Sequence, residues 1–547
     1  MSWRESLEES LRGEFEGIVI GAGANGLVAA AALGRAGLRV LVLEAQDEVG
    51  GLACASAFAP GFRCAPFAGD AGWVPPPVMR GLRLDGLERA PAGNGAAYAV
   101  AVEPGAFLVL PADPVAAAAA IALYSAEDAA AWPGFTARLH TMAGFLEVLY
   151  AAPPPDVDAA TLGALLPMLG LARRFRGLGR EGMIDLLRTL PMPVQQLCEE
   201  SFTLEPLQAA LAACAIRDSG LGPRAGGTGF LLLHGLAGAP PGAIAGRGAW
   251  AAGSDAFIAS AERAARGAGV TIRTSARVTR IEVRDDAVTG VMLENGDDVR
   301  APLVLSSADP AHTLLRLVDP VWLDPEFLLA VRNIRMRGST AAVLYALDAL
   351  PEIPGLDAAA LAGTVSLTSS LDVLERAADA VKYGRLPDAL HIEISAPTLH
   401  WPRLAPAHRH VLVAHVQHAS HALRDGGWDD ARTALLADRV TGAIEAVAPG
   451  FASRVLHRSV LTPREIERRW GLTGGAITHG QLMLDQILFM RPLAGWAHYA
   501  TPVDGLYLCG AGAHPGPGVP GGAGWLAARR VLHDRKQGTL AGRTGSR

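Results

Sequence analysis

Lysine is nearly missing from this chain. Among 48 basic residues only Lys382 and Lys536 are lysines, so chemistry that needs a Schiff-base lysine has two places to occur, and neither lies in a recognisable motif. The five cysteines, Cys54, Cys64, Cys198, Cys214 and Cys509, are scattered without a CxxC pair, so neither a dithiol redox motif nor a disulfide framework is indicated. A reducing cytoplasm is the simplest compartment for such a chain. A basic stripe is missing too: the formal charge is −6, without the electrostatic footprint of a DNA- or RNA-binding protein, and no nucleic-acid partner is expected. The longest apolar run, Pro114 to Tyr124, falls far short of the roughly 18 residues of a membrane-spanning helix. The opening MSWRESLEESLRGEFE carries acids where a signal or transit peptide excludes them, so no cleaved targeting segment is expected. What is present is apolar: 50% hydrophobic against 19% charged over 547 residues, a globular composition. At roughly 150 residues per unit it fills about three to four domain-sized units.

The first ordered pattern is Gly17-Ile18-Val19-Ile20, a short buried strand after a charged segment expected to be a helix or tail. Gly26 to Ala36 then reads as a helix of small residues and Leu38 to Glu44 as a second strand, one βαβ unit opening a doubly wound parallel sheet. From about Trp73 to Ala245, proline clusters alternate with long apolar helical stretches, and Ser125 with Asp128 resembles a capping box. Ser254 reads as the N-cap of a helix through Ala265, followed by strands at Val270–Thr274, Arg277–Val283, Ala287–Glu294 and Pro302–Ala308. Beyond Pro310, strands and helices alternate, with strands at Leu390–Ser395 and His410–Val416. A final buried strand at Gly505–Cys509 precedes a glycine-rich loop and a helix from about Gly524. The expected fold is α/β: a discontinuous Rossmann-type domain (15–75, 246–312 and 499–535) of parallel sheet plus β-meander, with an α+β substrate domain (76–245 and 313–498) and tails at 1–14 and 536–547.

Gly21-Ala22-Gly23-Ala24-Asn25-Gly26 is a GxGxxG between a strand and a helix, the context that gives the motif meaning. Gly21 permits the tight turn, Gly23 lets backbone approach a pyrophosphate, and Gly26 lets helix and strand pack closely. The helix N-terminus faces the phosphates. Glu44, roughly 20 residues further on at the end of the second strand, is placed to accept hydrogen bonds from ribose hydroxyls and disfavours a 2′-phosphate. A second literal match, Gly177-Leu178-Gly179-Arg180-Glu181-Gly182, follows Arg173-Arg174-Phe175-Arg176 instead of a strand and reads as a chance match in a loop. No separate NAD(P) domain is expected.

After Glu44-Ala45 comes Asp47-Glu48-Val49-Gly50-Gly51, whose paired glycine resembles the extended fingerprint of two-dinucleotide-binding flavoproteins. The run LYLCGAGAHPGPGVPGGAG from Leu506 to Gly524 resembles the closing flavin motif of the phytoene desaturase family, which includes carotenoid desaturases, carotenoid isomerases and retinol saturases. Trp470 to Ile477, His479-Gly480, Leu484-Asp485-Gln486 and Arg491-Pro492 look closest to the subgroup of pyridine nucleotide-disulfide oxidoreductase domain-containing protein 2. The disulfide chemistry in that name is unsupported without a CxxC. The specific motifs cover roughly the first 50 and last 80 residues, with a weaker likeness around Val278 and Ser306 to Pro310.

The resemblance implies FAD as cofactor, with Gly21, Gly23, Ala24, Asn25, Gly26, Glu44, Ala45, Gly50 and Gly51 at its adenosine and pyrophosphate end. It also implies Val278 holding the adenine through its backbone, Ala308 close by, and a closing loop in which Gly510, Ala511, Gly518 and Val519 pass the pyrophosphate and isoalloxazine. Gly510-Ala511-Gly512 lacks the Asp that many flavoproteins place there, a change the phytoene desaturase family shares. Leu52 replaces an arginine often found after the paired glycine, so pyrophosphate neutralisation falls to backbone dipoles.

The resemblance puts His514 beside the flavin, where an imidazole moves a proton or stabilises reduced flavin, or else braces the loop. His479, Asp485 and Arg491 are the next catalytic candidates, with Asp485 and Arg491 alternatively a structural ion pair. His408, His410, His415, His418 and His421 resemble a metal cluster on paper, but strand alternation points His415 and His418 apart, and no metal is expected. Leu165 to Leu187, with Arg173, Arg174, Arg176 and Arg180, reads as a helix covering the core or as a shallow membrane contact. The expected activity is hydride transfer between a hydrophobic, polyene or isoprenoid-like small molecule and flavin N5, by default a desaturation, with oxygen, a quinone or another carrier as electron acceptor. A redox-neutral isomerase or saturase using reduced flavin, a flavin amine oxidase, and a noncatalytic flavin-binding regulator remain as alternatives.

Overall fold

The structure is a computed structural model that describes residues 15–90, 98–103, 105–155, 162–244 and 248–538. The segment read as an N-terminal helix or tail, 1–14, and most of the C-terminal tail lie outside the described residues.

Five short strands form a wholly parallel sheet in the order Leu506–Leu508, Val304–Ser306, Gly17–Ile20, Val40–Leu43, Thr271–Arg273. Gly17–Ile20 and Val40–Leu43 are buried at every position, as expected of strands covered by helices on both faces. The Ala24–Arg35 helix is buried continuously from Gly26 to Gly34, because alanines and glycines let helices pack on several of its sides. The Ala256–Gly267 helix and the last helix, Gly522–Lys536, share its apolar cluster. Leu27 and Leu33 are fully buried there, and cutting either to alanine costs about 2–5 kcal/mol. An antiparallel meander, Val278–Arg284, Ala287–Leu293 and Asp298–Arg300, completes this unit.

Between Cys64 and Trp250, and again between Ser307 and Gly505, the chain builds the other half of the molecule. A seven-stranded sheet runs Val455–Leu461, Thr340–Leu347, His410–Gln417, His391–Ser395, Thr364–Ser366, Tyr98–Glu103, Ala106–Leu110. All of its pairings are antiparallel except Thr364–Ser366 with Tyr98–Glu103. One face packs on the Asp430–Val447 helix through Leu436, Val440 and Ile444. The other meets Ala55, Phe62 and Cys64 from the hairpin Ser56–Ala59/Phe62–Cys64, which bridges towards the parallel sheet. Helices Ala126–Tyr150, Glu205–Ile216 and Thr228–Leu236 pack around Trp132, Phe135 and Phe202 into a bundle.

Several local expectations are corrected. The Ala256–Gly267 helix is capped at Asp255, not Ser254, which is buried. Ser125 does accept from the Asp128 N–H at 3.2 Å, but the Asp128 carboxylate turns away to accept from Thr203 and Leu204 N–H groups, so the box is half formed. Gly177 to Gly182 is not a loop: it joins the helices Leu162–Gly177 and Gly179–Thr189, and no strand precedes it. The strands Tyr98–Glu103 and Ala106–Leu110 lie in a stretch of the α+β substrate unit where no strand was individually placed. The Leu165 to Leu187 segment is this helix pair, with Arg173, Arg174, Arg176 and Arg180 exposed beside Leu169, Ile184 and Leu187. Among the described residues no helix is long and apolar enough to cross a membrane.

Candidate functional site

The site is a cradle at the carboxyl ends of the parallel strands, where doubly wound sheets bind ligands. Gly21 leaves the first strand at φ 89°, and a Cβ there would collide with Ser307 Oγ. A Cβ on Gly26 would strike the Gly21 carbonyl oxygen, and one on Gly524 would strike that of Asn25, so both the turn and the crossing of first and last helices require glycine. At Gly23, the helix N-cap, a Cβ would meet nothing within 4 Å, and no side chain caps the N-terminus. The open side of this turn therefore presents backbone N–H groups to free space, as an anion cradle does.

Glu44 is buried and does two local jobs. Its carboxylate accepts from the Ala22 N–H at 2.6 Å and the Gln46 N–H at 2.9 Å, tying the second strand end to the glycine turn. Its carbonyl accepts from the Ala276 N–H at 2.8 Å, which brings the segment leading into Val278 alongside. The Gly50 N–H donates to the Ala22 carbonyl at 3.0 Å and a Cβ on Gly51 would lie 3.9 Å from Gly23 Cα, so the paired-glycine loop folds over the same turn, with Ala45 in the stretch between. Ala308 and Gly510 close the far side: a Cβ on Gly510 would collide with the Ser307 carbonyl.

The closing loop is held from outside the parallel sheet. The Gly518 carbonyl accepts from the Trp73 N–H at 3.0 Å, and Val519 is buried in the helical bundle's core. His234 Nε2 donates to the Pro517 carbonyl at 3.0 Å, which fixes its tautomer and lets Nδ1 accept from the Tyr150 hydroxyl at 2.8 Å. His514 is buried, with Nε2 donating towards the Leu149 and Ala152 carbonyls, each at 3.1 Å. Its Nδ1, buried and without a hydrogen-bond partner among the described residues, is then a lone pair that can only accept. Burial pushes its pKa down to about 4, so the imidazole is neutral at physiological pH.

His479 is likewise pushed down to about 4 by burial and sits at φ 54° in the turn after Thr473–Gly475. Asp309, which the sequence reading placed in the Ser306 to Pro310 likeness without giving it a role, positions that turn: one carboxylate oxygen accepts from the His312 N–H at 2.7 Å and the other from the Thr473 N–H at 2.9 Å. The expected Asp485–Arg491 ion pair does not form. Asp485 faces solvent and pairs with Arg335 at 2.8 Å, while Arg491 is fully buried and, among the described residues, donates to carbonyls, those of Ala511, Thr478 and Gln486. The short turns Leu484–Gln486 and Leu488–Met490 reverse the chain between them. The site thus brings His479, Arg491 and His514 together with the closing loop and leaves Asp485 on the rim.

The histidine series is also corrected. His418 lies one residue past the strand at φ 64°, so alternation no longer governs it. It turns back to the segment His415 meets: His415 Nε2 is 2.8 Å from Asp218 Oδ1, and His418 Nε2 donates to the Leu221 carbonyl at 3.0 Å. His421 pairs with Glu467 at 2.6 Å, and His410 Nδ1 lies 3.2 Å from Thr398 Oγ1. Both lysines are exposed, Lys382 in a 2.6 Å pair with Asp379.

The flavin-containing amine oxidoreductase family model matches residues 25–532. The chain belongs to that family. It is 33% identical to pyridine nucleotide-disulfide oxidoreductase domain-containing protein 2 of Rattus norvegicus, over 96% of this chain and 94% of that one. It is 27% identical to hydroxyneurosporene desaturase of Rhodobacter capsulatus, over 96% and 99% respectively. Among solved structures, cyclohexylamine oxidase from Brevibacterium oxydans shares the fold with a TM-score of 0.53 at 16% identity, covering 95% of this chain and 99% of that one. This family member is an FAD-dependent oxidoreductase, and FAD is its cofactor. The residues present fit that group. The glycine turn offers an uncapped helix N-terminus beside open space, and buried polar atoms without partners among the described residues, on Thr473, His479, Tyr499 and His514, belong to the segments around the closing loop. All five cysteines are free. Burial raises each thiol pKa, Cys54 and Cys64 to about 12, so no thiolate is available for disulfide chemistry.

Proposed function

We propose that this flavoprotein is a dehydrogenase that introduces a double bond into a hydrophobic, polyene or isoprenoid-like substrate. We assign the cofactor unit to 15–75, 246–312 and 499–535 and the substrate unit to 76–245 and 313–498; all five parallel strands fall in the former. Bound FAD supplies the two-electron acceptor at N5, from which oxygen, a quinone or another carrier takes the electrons.

The observation that carries the reading is the state of His514. Forming a carbon–carbon double bond removes a hydride from one carbon and a proton from its neighbour. His514 Nδ1 is a neutral acceptor whose orientation is fixed by the Nε2 bonds to Leu149 and Ala152, so it takes the proton, leaving an imidazolium that gives the proton to the reduced electron acceptor in the next half-reaction. The burial that keeps it neutral also excludes water. His479 adds a second neutral imidazole on the Thr478–Gly480 turn. Val278, Glu44, Ala45 and the paired glycines hold the adenosine end, and Gly510, Ala511, Gly518 and Val519 the flavin end. The desaturase names of relatives such as hydroxyneurosporene desaturase support an apolar substrate. An amine substrate is disfavoured because neither lysine lies in the interior, where flavin amine oxidases place one. Leu169, Ile184 and Leu187, exposed among arginines, support shallow contact with a lipid surface through which such a substrate would arrive.

Anaerobic mixing of the FAD-loaded protein with a nonpolar lipid extract from its source organism tests this. Bleaching of the visible flavin band, with an oxidised lipid product, is the expected result. If only chemically reduced protein alters a lipid, the reaction is an isomerisation or saturation; if amines alone bleach the band, the substrate class is wrong.

A further inference from the structure

Arg491 is a full positive charge with 0% of its surface exposed. Nε and Nη2 donate to the Ala511 carbonyl at 3.0 and 2.7 Å, Nη2 also to the Thr478 carbonyl at 2.7 Å, and Nη1 to the Gln486 carbonyl at 3.4 Å. These carbonyls satisfy the guanidinium N–H groups but carry no net charge, and none of the hydrogen bonds reaches a carboxylate. An ion kept buried in this way costs several kcal/mol. The charge persists nevertheless: burial lowers the Arg491 pKa only to about 10.

Its position suggests what the charge is for. Arg491 sits directly behind Ala511, in the loop assigned to the flavin, and reaches Thr478 next to His479. A Cβ on Gly516 of the same loop would lie 3.6 Å from Arg491 Nε. Burial keeps the neighbouring His479 and His514 neutral; the buried Asp309 carboxylate opposes this at His479, while the field of Arg491 at both and that of His498 at His514 reinforce it, so the imidazoles contribute no competing positive charge and Asp309 is the anion that faces this end of the site. Two-electron reduction of a flavin with uptake of one proton leaves one negative charge on it, and in a dry interior a nearby fixed cation acts on that charge far more strongly than in water. We infer that Arg491 is the residue that sets the charge balance for reduction: a positioning residue that favours the singly protonated, anionic form of the reduced cofactor without touching substrate. This rests on the FAD assignment above.

The test is the midpoint potential of the FAD-loaded protein as a function of pH, with Arg491→Met and Arg491→Lys beside it. One proton per two electrons shifts the midpoint by about 30 mV for each tenfold change in proton concentration, and two protons by about 59 mV. The expected wild-type slope is the smaller one between about pH 5 and about pH 6.5. Arg491→Met should lower the reduced-to-oxidised ratio at fixed potential at least tenfold, about 30 mV, while Arg491→Lys stays within about threefold. A wild-type slope of about 59 mV, or a Met variant with the wild-type potential, overturns the inference; if the Met variant fails to hold flavin, the wild-type slope and the Lys variant decide. A protein that takes up no flavin overturns the cofactor reading itself, whereas a flavin band with the larger slope overturns only the role of Arg491.

Discussion

Glu44→Gln isolates what the buried carboxylate contributes to the cofactor turn. Each carboxylate oxygen accepts one backbone N–H, from Ala22 at 2.6 Å and from Gln46 at 2.9 Å. Glutamine has the same shape but only one oxygen, so in either amide orientation an NH2 group confronts one of those N–H groups. One charge-assisted hydrogen bond, worth about 1.5–3 kcal/mol, is lost, and the buried N–H left behind adds a penalty of similar size. Partial relaxation brings the expected total to about 3 kcal/mol. Because Ala22 lies inside the glycine turn, the loss divides: about 2 kcal/mol in the stability of the flavin-free protein, and about tenfold, near 1.4 kcal/mol, in FAD affinity. Urea unfolding of flavin-free protein gives the first and quenching of flavin fluorescence on titration the second. A variant within about 0.5 kcal/mol of wild-type stability and within about twofold in affinity would refute the view that this carboxylate organises the turn.

Gly524→Ala forces a methyl group against the Asn25 carbonyl where first and last helices cross; a loss of about 1–3 kcal/mol in unfolding free energy and weaker FAD binding are expected, read by calorimetry and titration. His514→Asn should retain FAD yet bleach about a hundredfold more slowly with lipid substrate, and the wild-type rate should show no inflection near pH 6.5, because the imidazole is already neutral there. Burial holds His391, His418, His479 and His514 near pKa 4 in the folded state, against 6.5 when free. The unfolded chain therefore binds more protons in between: the stability these groups contribute is whole above about pH 6.5 and is lost as pH falls towards about 4, on the order of 1 kcal/mol per pH unit for each, which urea midpoints at successive pH values will show.

The adenosine half of the cradle was legible because its information is local. Strand, glycine turn, helix, strand and acid lie within one stretch, so period and turn chemistry placed Gly17–Ile20 to the residue and Val40–Leu43 nearly so. Elsewhere local pattern misled. Tyr98–Glu103 pairs with Thr364–Ser366, a partner far along the chain, and Ala106–Leu110 then adds to its other side as an antiparallel neighbour. Asp485 and Arg491 are close in sequence, yet two aperiodic turns between them send one to solvent and the other inward, and nothing in composition announces that. His418 escaped strand alternation through a positive φ that no glycine or asparagine signalled.

The flavin end of the cradle is built in the opposite manner. Gly518 is held by Trp73, Pro517 by His234 with Tyr150 behind it, and His514 by the carbonyls at the end of the Ala126–Tyr150 helix. None of these partners belongs to the last 80 or so residues that carry the motif. The closing loop therefore takes its shape, and His514 its tautomer, from the helical bundle, so a change in the bundle that left every flavin motif intact would still re-aim the His514 lone pair proposed to accept a substrate proton. That gives relatives with the same fingerprints a physical route to different reactions. Tyr150→Phe measures the coupling: it removes the hydroxyl that donates to His234 Nδ1, keeps the ring that packs 6.2 Å from the His514 ring, leaves the Gly21–Gly26 turn alone, and should slow lipid-dependent bleaching about tenfold while FAD affinity changes by less than about threefold, a loss near that of one buried hydrogen bond. Equal rates in both proteins would show that the loop holds its shape unaided.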